Sequence, residues 1–131
     1  MTKHFFLPMK RIPTVTHQQK KVRVIRGKPV FYEPPRLAAA RTLFEASLAP
    51  HAPPEPLTSG VRLTVQWIFP RGDHPDGTYK LTKPDTDNLQ KLFKDCMTAV
   101  GFWKDDALVC SEICEKFHGE PSGIYVQVET L

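Results

Sequence analysis

The chain has 131 residues, a net charge of +4 and 40% hydrophobic residues. That length suits one compact domain, residues 1–131, with a modest core, and the mildly basic balance accommodates an anionic partner without demanding one. No stretch is apolar for the length of a membrane-spanning helix, the opening MTKHFFLPMK lacks the apolar centre of a secretory signal, and the three cysteines make an odd number. The expectation is a cytoplasmic chain with free thiols and no membrane contact.

In chain order, HFFLP at 4–8 reads as a first strand closed by proline. KKVRVIRGKPVFYE at 20–33 alternates Val22 and Val24 with basic residues and turns at RGKP, the pattern of a hairpin. Pro34 and Pro35 open a helix that runs to about Leu48, with Leu37, Ala40, Leu43, Phe44 and Leu48 at helical spacing. A proline-rich connector at 49–60 is too short to divide domains. VRLTVQWIF at 61–69 is the clearest strand, with Val61, Leu63, Val65, Trp67 and Phe69 on one face, and RGDHPDGTYKLTK at 71–83 reads as a polar loop. A helix is expected over about 86–100, where Leu89, Leu92, Phe93, Cys96, Met97 and Val100 form an apolar stripe ended by Gly101. GFWKDD then turns the chain into two strands, 107–118 and 123–130, expected to pair with each other across GEPS. The fold class is α+β: a small mixed sheet with a hairpin and two helices packed against it.

The chemistry concentrates in KPDTDNLQKLFKD at 83–95. Asp85 stands where a helix N-cap belongs, and Asp87 in the first turn suits the positive end of the helix dipole. The same two acids, if the entry segment is extended, project to one side and can converge on a cation. Lys91 lies four residues after Asp87 on the same helix face, and Asp95 continues it. A helix of this length spans roughly 22 Å, so Asp105 and Asp106, which follow its far end, are not brought to Asp85 by spacing alone.

DTDNLQKLFKD followed by GFWKDDALV resembles the signature of the RusA family of Holliday-junction resolvases, the crossover-junction endodeoxyribonucleases. The close match covers 85–109, and the order of the remaining elements agrees. The resemblance implies metal-binding acids at Asp85, Asp87 and Asp106, a functional lysine at Lys91, and supporting roles for Asn88, Asp95 and Asp105. It further implies dependence on Mg²⁺, with Mn²⁺ as a substitute, and action as a homodimer on four-way DNA junctions. Carboxylates suit Mg²⁺, which takes hard oxygen ligands and keeps several waters. Phe5, Phe6 and Leu7 are the apolar candidates for an exposed dimer surface.

Lys20, Lys21, Arg23 and Arg26, with Arg11 and Lys28, make the N-terminal arm and hairpin basic. They form either a solvated edge or a surface that contacts DNA phosphates, while Lys91 beside the acids is expected either to neutralise the phosphate or to position the water. Cys110, Cys114 and His118 have the spacing of a metal cluster on a helix but would be spread along a strand, the preferred reading here. Against the nuclease stands a non-catalytic nucleic-acid-binding module, in which the acids only cap and turn.

Overall fold

The computed structural model of the protein describes residues 1–14, 21–32 and 34–131, with 21–23, 25 and 30–32 described for their backbone alone. In chain order it forms β1 (Thr2–Pro8), β2 (Lys21–Ile25), β3 (Lys28–Tyr32), α1 (Pro35–Leu48), β4 (Val61–Pro70), β5 (Thr78–Tyr79), α2 (Thr86–Ala99), β6 (Val109–Gly119) and β7 (Gly123–Thr130). The fold is α+β. Among the described residues a mixed five-stranded sheet runs in the order β1-β7-β4-β6-β5, and β2 and β3 form a separate hairpin. Among the described residues no helix is long and apolar enough to cross a membrane.

β4 organises the sheet. Val61, Leu63, Val65 and Trp67 are fully buried while the residues between them are half-buried, so one face of the strand carries the core. β7 pairs with β4 antiparallel and β6 pairs with it parallel. A parallel neighbour requires a crossover, and α2 lies within it. The helices cover the face that bears Trp67. Phe44 of α1 and Phe93 of α2 meet edge to face at 5.3 Å and 90°, and Trp67 meets Phe93 at 5.1 Å and Phe44 at 6.1 Å, again edge-on. Such arrangements suit the aromatic quadrupole.

The expected pairing of the last two strands does not occur. β6 and β7 lie on opposite sides of β4, and the link between Gly119 and Gly123 passes over the end of β4. Two strand spacings are about 10 Å, a distance that a link of this length can cover. Gly123 makes the passage possible: a Cβ there would collide with the Leu7 carbonyl oxygen of β1. The strand expected at 4–8 begins earlier, at Thr2. Phe5 and Leu7 are buried in the core and not exposed, because β1 pairs with β7 and turns alternate residues inward; Phe6 faces the other side of the sheet. The loop expected at 71–83 contains the two-residue β5, held on β6.

The hairpin forms where alternation placed it. Ile25 pairs with Lys28, leaving Arg26 and Gly27 as a two-residue loop with φ of 51° and 75°. Both central residues lie in the left-handed region, as a tight hairpin turn of matching twist requires.

Phe93→Ala removes the ring that contacts both Trp67 and Phe44. It is expected to destabilise the protein by about 3–5 kcal/mol, seen as a lower denaturant midpoint with unchanged slope.

Candidate active site on helix α2

Both ends of α2 are tied to neighbouring segments by hydrogen bonds. At its start Asp85 occupies the N-cap position in extended conformation, but its side chain makes no capping hydrogen bond. The entry loop is instead tied to β6: Lys116 Nζ donates to the carbonyl oxygens of Thr82 at 2.8 Å and Pro84 at 2.9 Å. At its end the Gly101 N–H donates to Thr98 and the Phe102 N–H to Met97, with Gly101 at φ 95°, a Schellman closure. Trp103 Nε1 donates to Thr98 Oγ1 at 2.8 Å, and the backbone of Leu57 bonds to both Phe102 and Lys104. The GFWKDD turn is thus held against the proline-rich connector. Asp105 Oδ1 accepts from the Ala107 N–H at 2.9 Å and caps a short 3₁₀ turn, Asp106–Leu108, which leaves Asp106 exposed at its first position.

β6 returns antiparallel to α2. Glu112 pairs with Lys94 at 2.9 Å, and Cys114 Sγ lies 3.9 Å from the Thr86 carbonyl oxygen. Between the outward face of α2, the 3₁₀ turn and the start of β6 runs a groove of about 350 Å³ lined by Asp87, Gln90, Lys91, Lys94, Asp95, Asp106 and Glu112. The structure therefore brings Asp87, Lys91, Asp95 and Asp106 to one groove. Asp85 and Asn88 line a different pocket, of about 460 Å³, with Lys80, Lys83, Phe69 and Thr14. The extended entry that would aim Asp85 and Asp87 together stops at Asp85. Thr86 is already helical, and two helical steps of about 100° turn Asp87 away from its neighbour. Among the described residues no three Asp, Glu, His or Cys side chains are arranged to hold one metal ion between them. The donor chemistry of the groove is nevertheless that of a hard cation, since Mg²⁺ is commonly held by one or two carboxylates and completes its shell with water and phosphate oxygens.

Sequence reading passed over Gln90. It sits at the edge of the apolar stripe and is buried, at 4% exposure. Trp67 Nε1 donates to its Oε1 at 2.9 Å, while its Nε2 is buried with no partner among the described residues. Because indole nitrogen only donates, the oxygen must face Trp67 and the amide nitrogen must face away. An unpaired buried donor costs about 1–3 kcal/mol. The hint in the sequence was Trp67, an inward-facing indole on β4 that needs an acceptor.

The family model for endodeoxyribonuclease RusA matches residues 11–129. The chain belongs to the RusA family. A crossover junction endodeoxyribonuclease, rusA, of Lactococcus phage r1t is 27% identical over 127 residues, which cover 95% of each chain. The RusA match takes in the hairpin, both helices and the groove.

Cys110, Cys114 and His118 of this RusA chain do not line the groove. Arg26 is exposed at the hairpin turn; Lys21 and Arg23 lie on β2, where only the backbone is described, and Lys20 lies outside the described residues. Cys110, Cys114 and His118 are spread along β6. His118 is buried and stacks on His74 at 3.7 Å, and burial, with His74 and Lys80 adding, holds it below the usual imidazole range. Cys114 is half-buried, and burial pushes its thiol up to about 12.

Because the thiolate is the reactive form, Cys114 stays protonated, and inert, until the pH nears that value. Iodoacetamide at pH 8 is expected to label exposed Cys110 in the folded protein and to spare Cys114 and buried Cys96 until denaturant is added, as read by peptide mass mapping.

Proposed function

We propose that the protein is a structure-selective, Mg²⁺-dependent endonuclease that resolves four-way DNA junctions by paired phosphodiester hydrolysis in recombination and repair. The observation that carries this reading is the acidic groove on α2, lined by Asp87, Lys91 and Asp106, in a chain of the RusA family. The name of the Lactococcus phage relative, a crossover junction endodeoxyribonuclease, supports the substrate.

In this reading Asp87 and Asp106 would hold the cation, and Asp85, at the start of the same helix, would join them once DNA is bound. A bound Mg²⁺ supplies a water nucleophile and neutralises charge on the phosphate. Lys91 donates to a non-bridging phosphate oxygen. Asn88 and Asp95 support the acids from the same helix, and Asp105 holds the 3₁₀ turn that presents Asp106. The basic hairpin, through Lys20, Lys21, Arg23 and Arg26, contacts phosphates along the arms and contributes affinity without base readout. The single domain works as a homodimer in the cytoplasm, because a junction with two-fold symmetry offers two equivalent strands for paired cuts.

A synthetic four-way junction is expected to be cut in Mg²⁺ or Mn²⁺ and to remain intact in chelator. Asp87→Asn keeps the side-chain size and removes a charge from the groove. It should slow cutting by at least about 100-fold, the upper range seen when a mere supporting partner of a metal ligand is lost, and preserve or tighten junction binding, because repulsion with phosphate falls. Cutting by this variant at the wild-type rate would return Asp87 to a capping role. Binding without cutting by the wild type, in any divalent ion, would leave a nucleic-acid-binding module.

A further inference from the structure

Gln90 is anchored on one side and unsatisfied on the other. Trp67 Nε1 fixes its oxygen at 2.9 Å, and the amide nitrogen, buried without a partner among the described residues, belongs to a side chain that lines the acidic groove. A donor held in place by a buried indole, on a side chain that shares a groove with carboxylates, is complementary to a carboxylate oxygen. Two of the acids that line the groove are Glu112 and Asp87. Glu112, across on β6, is held by Lys94 at 2.9 Å. Asp87 precedes Gln90 by three residues on the same helix, the spacing at which side chains are neighbours and at which Gln–Asp hydrogen bonds form.

We propose that Gln90 is a positioning residue for Asp87: when the groove takes up a divalent cation, the Gln90 amide donates to one Asp87 carboxylate oxygen and leaves the other turned to the ion. This rests on the metal-dependent reading above. Outer partners of this kind orient a ligating group and keep it in its ionised form. Lys91, on the same turn as Gln90, brings charge to the groove; the neutral amide brings direction without competing for the cation.

The test is the side-chain amide region of the ¹H–¹⁵N spectrum of the full chain, titrated with Mg²⁺ alone. Gln90→Glu identifies the resonance pair by its loss while keeping an oxygen for Trp67 to donate to. In the wild type that pair is expected to shift as Mg²⁺ binds, and in Asp87→Asn, titrated to the same Mg²⁺ saturation, the response should vanish. Gln90→Met provides a second variant: its Mg²⁺ affinity by calorimetry should fall by about 10–100-fold, whereas adding Gln90→Met to a chain that already carries Asp87→Asn should cause no further fall. A Gln90 pair that stays still while the wild type saturates with Mg²⁺, or that responds equally in Asp87→Asn, overturns the proposal, as does additive loss in the double variant. If the wild type cuts the junction in Mg²⁺ while the amide is silent, only the role of Gln90 fails. If the wild type neither binds Mg²⁺ nor cuts, the functional reading fails and this proposal with it.

Discussion

Phe93 packs edge-on against Trp67 and Phe44 at once, and that double contact sets the rotation of α2 about its own axis. A helix has one degree of freedom that its ends do not fix, which is the face it turns to the sheet. With Leu89, Leu92, Phe93, Cys96 and Met97 committed to the core, the positions left for the outside are those of Asp87, Lys91 and Asp95. A turn of one residue step, about 100°, would carry a charge into the core and a leucine into water. The acidic face is therefore a consequence of aromatic packing on the far side of the same helix.

The rest of the groove follows from the parallel pairing of β4 and β6. A parallel neighbour obliges the chain to return along the sheet before the strand begins, so the 3₁₀ turn with Asp106 comes at the end of α2 and β6 runs back beside it. The Schellman closure at Gly101 and the bonds from Leu57 place that turn, and Asp105 caps it. Four separate devices, none of them chemical in purpose, bring Asp106 to the helix face. Asp85 is left out of the groove by the same regularity, since the helix begins one residue after it.

The parts of this arrangement that the sequence made legible are those with a local signal. Alternation from Val61 to Phe69 defined β4, the three-and-four spacing from Leu89 to Met97 defined α2, and Gly101 marked its end. The family resemblance rested on residues 85–109, and the match over 11–129 places the chain in that family. What escaped depends on distant partners. β6 and β7 are joined by a short link, which read as a hairpin, yet β4 lies between them; no residue of the link announces that. Phe5 and Leu7 look like an exposed pair until β1 is placed on β7. Gln90 acquires meaning only when Trp67, 23 positions earlier, is seen to hold it. Asp85 and Asp87 misled differently: their expected convergence assumed an extended segment that is one residue shorter than required.

The central claim is that the face of α2 carrying Asp87, shared with Asp106, is where the cation and the scissile phosphate meet. Its most direct measurement is the anomalous difference density of crystals soaked in Mn²⁺. The account predicts a peak in the groove within bonding distance of Asp87 and Asp106 carboxylate oxygens. Mn²⁺ bound at the Asp85 and Lys83 pocket or elsewhere, with the groove empty under conditions that support junction cutting, would contradict it.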